Sequence, residues 1–486
     1  MNMNKTLLAT AILSASLVGC GGDSSSSSNS NNNSSSGVTC IEDVCTLAGT
    51  ISQDLTLTAD KEWRLSGFVT VGAGNVELTD QAAVTAAKAA GVTLTIEPGV
   101  HVKAFNTGVL LITRGSKIEA EGTAAQPITF SSIEDDNFDG EGEWGGVVVQ
   151  GFAPQYGAGN TGPCFGTGTV CNVDGEGGDG IGKFGGSDKA DNSGTIKYVR
   201  IAEAGRVAGP NNEINGLTLQ GVGHATTVDY IQVHNNLDDG IEWFGGTVNV
   251  THAVLTNNDD DDIDFDEGYQ GNIQYAIIRK NPNKTTPSGS NDPRGIEANS
   301  SDEDYVTQTQ GAIANVTIVG SEVNKATNSK GKGLQPGMRL RGSVTARVYN
   351  SAVLNFDDCV RIDDSNTDDD ETTGENTTHQ DGVDSKSNVV LSNVIGQCDD
   401  KFYAERVADS EVGTVGAATL DLDEAVALTV SSVAQVDFAE VDNGSGFAFD
   451  NTTYVGAVAP GTAAASAWWA GWTIPGSLTG IETQGE

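Results

Sequence analysis

The sequence predicts an all-β fold, a solenoid of short strands wound into stacked coils. Three observations carry the prediction. Glycine supplies 62 of 486 residues, roughly twice its usual share, as expected for many short strands and turns. Sustained helical patterning is scarce. A unit of short alternating strands recurs every 22 to 24 residues, the mark of a stacked repeat architecture.

The unit is clearest in "GLTLQGVGHATTVDYIQVHNN", "GIEWFGGTVNVTHAVLTNN" and "DIDFDEGYQGNIQYAIIRKN". Each has a short strand, then glycine, then a second alternating strand that ends at asparagine. Leu217 to Ile241 is 24 residues, Ile241 to Ile263 is 22, and Met338 to Val360 is again 22. Coils of this length and type resemble the right-handed parallel β-helix, in which successive coils stack about 4.8 Å apart. Alternation turns Ile241, Trp243, Ile263 and Phe265 inward and their neighbours outward. The runs "HNN" and "TNN" read as the asparagine turns of such coils. A β-propeller would need repeats of about 40 residues with four strands per blade.

In chain order, residues 1–19 read as a secretory leader. Lys5 is its positive end, and Leu7 to Val18 is an apolar run too short to span a bilayer. "LVGC", Leu17 to Cys20, resembles the bacterial lipobox, which makes Cys20 the lipidated first residue of the mature chain. Gly21, where an aspartate would signal inner-membrane retention, points to a lipid anchor in the outer membrane, at the cell surface or on the periplasmic face. Residues 20–37 read as the lipidated cysteine and a Ser/Asn-rich tether, flexible because Gly21 to Gly37 has no apolar residue to bury. Residues 38–90 form an N-terminal cap, since an open solenoid end exposes strand edges, and "DQAAVTAAKAAG" within them reads as a short helix. Residues 91–402 form the β-helix with inserted loops. One of these, the acidic segment around His379, has no apolar content and reads as a mobile loop. Residues 403–486 form the C-terminal region and cap. Its "AWWAGWTIPG" is open to two readings, an aromatic carbohydrate platform or a tail plugging the end of the coils. The plug is favoured, because clustered tryptophans are costly to expose.

Seven cysteines become six once Cys20 is assigned to lipid. Proximity groups them as Cys40 with Cys45, Cys164 with Cys171 and Cys359 with Cys398, although six cysteines allow 15 connectivities. None has zinc or haem spacing, so structural disulfides are expected, the last pinning the base of the acidic insertion. A formal charge of −40 argues against a nucleic-acid partner. It suits an exported protein in salt or calcium.

The blocks "LTIEPGVHVKAF", "GVLLITRGSKIEAEGTAAQPITFSS", "EWGGVVVQG" and "DDGIEWFGGTVN" carry a more particular resemblance. They are similar to a group of secreted bacterial β-helix proteins and lipoproteins with EPG, RGSKI-x-AEGT, WGG and DDGIE-x-FGGTVN motifs. The resemblance is close over roughly residues 90 to 280. It implies the fold and an envelope location but brings no catalytic residues.

"NNDDDDIDFDEG", Asn257 to Gly268, places seven acids in nine residues, and charges this dense must be held or neutralised. With Ile263 and Phe265 inward, Asp262, Asp264 and Asp266 are expected on one outer face. Stacking the coils puts Thr218, Glu242, Asp264, Glu297, Arg339 and Arg361 in one column, with Phe244, Asp266, Asn299, Arg341 and Asp363 beside it. Acids on early rungs and arginines on later ones can pair, and the remaining acids need a cation. Calcium is the candidate cofactor, because it accepts six to eight oxygens without strict geometry. Asp259, Asp260, Asp262, Asp264, Asp266 and Glu267 are its candidate ligands. A solvated acidic turn is the alternative. The stretch is no EF-hand, since Gly268 falls at loop position seven and Ile273 stands where the bidentate glutamate belongs.

Glu242, Asp264, Glu297, Arg339, Arg341 and Arg361 form the candidate ligand-binding face, for a glycan or an envelope protein partner. Known β-helix enzymes act on acidic polysaccharides, using calcium and an arginine base or an aspartate pair. A lyase or hydrolase is therefore the alternative to binding, and a structural or adhesion component is a third reading. No nucleophile elbow, P-loop or zinc motif is present, so no catalytic residue is assigned.

Overall fold

The computed structural model describes residues 37–155, 170–209, 213–300, 308–342, 344–363, 387–405, 411–412, 415–417, 420–429 and 433–481. The leader, Cys20, the tether up to residue 36, Cys164 and the acidic insertion at 364–386 lie outside the described residues.

The chain winds a three-sided parallel β-helix. One side, here the front, pairs Val109–Ile112 with Val147–Gln150 and continues through Leu217–Gln220, Ile241–Phe244, Ile263–Asp266, Ile296–Asn299, Met338–Arg341 and Asp358–Ile362 to Lys401–Glu405. Alternation decides its two faces. Leu219, Trp243, Phe265, Ala298, Leu340 and Ile362 stack in the interior and are fully buried, and their sequence neighbours face outward.

The other two sides meet at a one-residue corner. Strands Gly194–Ala202, Thr227–His234, Gln270–Arg279 and Gln310–Val319 bend at Tyr198, Tyr230, Tyr275 and Asn315, with φ of 50°, 53°, 64° and 55°. Left-handed backbone is costly for a side chain other than glycine or asparagine. Stacking across coils offsets that cost here. Tyr198 lies on Tyr230 at 4.4 Å, Tyr230 on His252 at 4.2 Å, and His252 on Tyr275 at 5.0 Å between ring centres. Later corners use asparagine, and Asn393 Nδ2 donates to Asn350 Oδ1 at 2.9 Å. The "HNN" and "TNN" runs make the next turn, with Asn235 and Asn257 at φ of 55° and 65°.

At the N-terminal end, Val38–Ile41 pairs antiparallel with Val44–Ile51, covers its outer edge and is tied to it by Cys40–Cys45. Parallel pairing already begins between Val44–Ile51 and Glu62–Val71, so residues 38–90 hold ladder strands as well as the hairpin. The helix Gln81–Ala89 forms where the alanine-rich run predicts it, with Asp80 accepting from Ala83 N at its start. Cys359 pairs with Cys398. Cys171 is disulfide-bonded.

The C-terminal segment corrects the expectation of a plug. It turns back and lies along a flank of the coils, over Val254, Ile277, Val319 and Leu354, which point outward from successive rungs. That apolar stripe must be covered, and the tail covers it. Trp472 is buried there, edge-on to Tyr198 and Tyr230 at 5.8 and 6.0 Å. The indole nitrogens of Trp468, Trp469 and Trp472 donate to the carbonyls of Ala457, Ala425 and Trp468. The tryptophans serve the packing of the tail on itself and on the coils.

Candidate cation and ligand groove

The front register places Thr218, Glu242, Asp264, Glu297, Arg339 and Arg361 in one outward column. Beside it Phe244 pairs with Asp266, and Asn299 with Arg341. What the side chains do along the column changes at Glu297.

From Glu297 onward, charges are paired. Arg341 Nε and Arg294 Nη1 each lie 2.6 Å from a Glu297 oxygen, and Arg339 Nη1 lies at 3.5 Å. Burial works against the charged form of Glu297, but Arg294, Arg341 and Arg339 outweigh it and hold the carboxyl well below the usual range. Arg339 Nε also meets Asp363 at 3.0 Å, and Arg361 meets Asp358 at 2.9 Å. The three candidate arginines are thus all engaged by carboxylates of their own chain.

The acidic stretch divides. Asp262, expected outside with Asp264 and Asp266, is instead fully enclosed 2.8 Å from Lys280 Nζ, with Asn258 on its other oxygen. Its place just ahead of strand Ile263–Asp266 takes it out of the outward alternation. Asp259 meets Lys284 at 2.8 Å and accepts from Ser288 N. These two acids are neutralised by lysines and stand apart from the carboxylates that converge.

Convergence occurs in three overlapping groups, Asp238–Asp239–Asp260, Asp239–Glu242–Asp264 and Asp261–Asp264–Glu297. Within each group the ligating atoms lie within 4.8 Å of one another. The groups share Asp239 and Asp264, so they form one line of acids along a depression of about 250 Å³ that Glu176 and Asn215 also line. Among the described residues, no ion pair reaches Asp238, Asp239, Asp260, Glu242 or Asp264. Asp264 Oδ1 and Asn215 Oδ1 are buried without a hydrogen-bond donor. Burial first, then neighbouring carboxylates, push Asp238, Asp239, Glu242 and Asp264 well above the usual range. Burial pushes Glu176 and Asp260 up to about 7. Asp266 and Glu267 lie outside the three groups, each with one buried oxygen lacking a donor. An all-oxygen set of carboxylates and an amide carbonyl, short of positive charge, fits a hard cation such as calcium.

A family model described as a pectate-lyase like beta helix domain matches residues 49–473. The chain belongs to this family. No curated protein and no solved structure gives a match. In this pectate-lyase-like β-helix the groove lies on the outer face of one parallel ladder. One wall comes from the hairpin Val173–Asp174 with Lys183–Phe184, whose Ile181 packs on Val109, Leu111 and Val148.

Sequence reasoning singled out Glu242, Asp260, Asp264 and Glu297 but not Asp238, Asp239, Asp261, Glu176 or Asn215. A signal for three of these was present. "LDDGI" and "DDDDI" stand one period apart, so Asp238 and Asp239 precede Asp260 and Asp261 by 22 residues in the turn ahead of the front strand. Glu176 comes from a hairpin outside the repeat, and no spacing announces it.

Proposed function

We propose that the groove binds an acidic polysaccharide through calcium, on a β-helix held at the outer membrane by a lipid on Cys20. The observation that carries this reading is the line of converging carboxylates Asp238, Asp239, Asp260, Glu242 and Asp264, which no ion pair among the described residues balances. A chain of net charge −40 repels a polyanion unless cations stand between the two, and calcium bound by these acids supplies that bridge with its remaining coordination positions. Asp239, Glu242 and Asp264 hold the ion, and Asn215 supports Glu242 through a hydrogen bond from its Nδ2. Family membership supports a polysaccharide as the ligand.

The test is a calcium titration by calorimetry on the full chain and on an Asp239→Asn/Asp264→Asn variant. Saturable heat in the parent that falls in the variant supports the reading. Equal heats from the two count against it.

Family membership also favours a second reading, cleavage of an acidic glycan by lyase chemistry. That chemistry needs a base close to the bound sugar, and Arg339, Arg341 and Arg361 are engaged by carboxylates. Binding is therefore the better-supported reading. Unsaturated products absorbing in the ultraviolet, released from an acidic glycan in calcium, would reverse that order.

A further inference from the structure

Away from the groove, the chain reads Asp135-Asp136-Asn137-Phe138-Asp139-Gly140. This is D-x-[DN]-x-[DN]-G, the first half of the twelve-residue calcium loop, in which positions 1, 3 and 5 supply oxygens and glycine at position 6 makes the sharp turn. Position 12, the usual glutamate, is Gly146 here. The fold supplies a glutamate from another coil. Glu203, just past strand Gly194–Ala202, brings its carboxylate within 4.8 Å of the ligating atoms of Asp135 and Asp139.

The burial of Glu203 is what points to a cation. Its side chain is fully buried, 0 % exposed, and among the described residues it has no ion pair. Among the described residues its carboxylate accepts hydrogen bonds only from the backbone, Gly140 N to Oε1 and Ser132 N to Oε2, both at 3.2 Å. A buried carboxylate with no counter-charge is costly and is retained when a cation or a proton neutralises it. Asn235 adds a second unmet group. It is 6 % exposed, its Nδ2 donates to Phe138 O, and its Oδ1 has no donor. Asp136, at the loop position that does not ligate, is already taken by Lys103 at 2.6 Å. Asp135 and Asp139 form no ion pair among the described residues.

We propose that Asp135, Asn137, Asp139 and Glu203 form a calcium site separate from the groove. The ion balances Glu203 and fixes the loop to the neighbouring coil, where Gly142 N and Glu143 N donate to the carbonyls of Ala204 and Glu203. The same loop carries Glu141, which meets Lys284 at 2.5 Å, and Lys284 in turn holds Asp259. Calcium at the loop therefore braces one rim of the acidic groove.

The experiment is a calcium titration by calorimetry on the full chain carrying Asp239→Asn/Asp264→Asn, which silences the groove. One saturable event remains, and adding Asp135→Asn/Asp139→Asn weakens it at least about tenfold, because calcium affinity follows ligand charge. Both loop residues are exposed, so the substitutions spare the fold, which circular dichroism checks. Hydrogen exchange supplies a second readout, with calcium slowing the amides of residues 135–143 in the parent and not in the loop variant. No calcium heat in the groove-silenced chain, heat that the loop substitutions leave unchanged, or exchange indifferent to calcium overturns the site. Should the groove itself bind nothing, the unmodified chain shows only the loop event, so the two sites fail independently.

Discussion

Asp262 and Lys280 form an ion pair with both side chains fully enclosed, Oδ2 to Nζ 2.8 Å. Lys280 also donates to the carbonyls of Asn258 and Asp260, so one ammonium organises the turn that carries the acids. Asp264, two residues on, has no such partner among the described residues. Asp262→Asn should therefore cost about 3–5 kcal/mol, the penalty of stranding a buried charge. Asp264→Asn should leave calcium-free stability unchanged or raised. Chemical denaturation in chelator measures both, and equal losses would contradict this division of the acidic stretch.

Stability should also depend on pH in an unusual direction. Burial pushes Glu176, Asp260 and Glu267 up to about 7 and Asp262 up to about 6. Their ordinary values are 3.8 and 4.5, so the folded chain holds protons that the unfolded chain has released. Their favourable share is present at low pH and is lost as pH rises through 6 to 7. His101 and His234, pushed down to about 4 by burial, act oppositely, losing stability as pH falls through 6.5 to 4, but they are the smaller set. Calcium-free protein should melt higher at about pH 5 than at about pH 7.5, and saturating calcium should narrow the difference by the share of the groove acids, leaving that of Asp262 and Glu267. Thermal scans at both values decide it.

Trp472 anchors the tail to the flank. Trp472→Ala should cost about 3–5 kcal/mol, as for other buried aromatics, and should leave binding of an acidic glycan to the folded protein unchanged. Loss of glycan binding without loss of stability would restore the aromatic-platform reading.

The corner asparagines separate backbone strain from hydrogen bonding. Asn393, at φ 54°, donates to Asn350 Oδ1 and Ala434 O. Asn393→Gly keeps the corner and loses the bonds. Asn393→Val loses the bonds and adds strain of about 1–3 kcal/mol. The valine variant should melt below the glycine variant, and equal melting temperatures would show that the corner carries no strain.

The coils and the front register were legible because period and alternation are local properties. The spacing from Ile241 to Ile263 set the stacking of Glu242 on Asp264 directly. Besides Glu176, two features were not legible. Asp262 sits one residue before its strand, where alternation no longer holds, and Lys280 reaches it from the following coil. The lateral tail was hidden because "AVLT", "AIIRK" and "VTIVG" read as interior strands, whereas Val254, Ile277 and Val319 face outward beneath a segment that follows much later in the chain. A run apolar on both faces announces a second covering layer without saying which segment supplies it.

The measurement that bears most directly on the account is equilibrium binding of a charged oligouronate to the full chain and to the Asp239→Asn/Asp264→Asn variant, each in calcium and in chelator. Saturable binding is expected in one case only, the parent in calcium. Binding that persists in chelator, or that the variant retains, would contradict it.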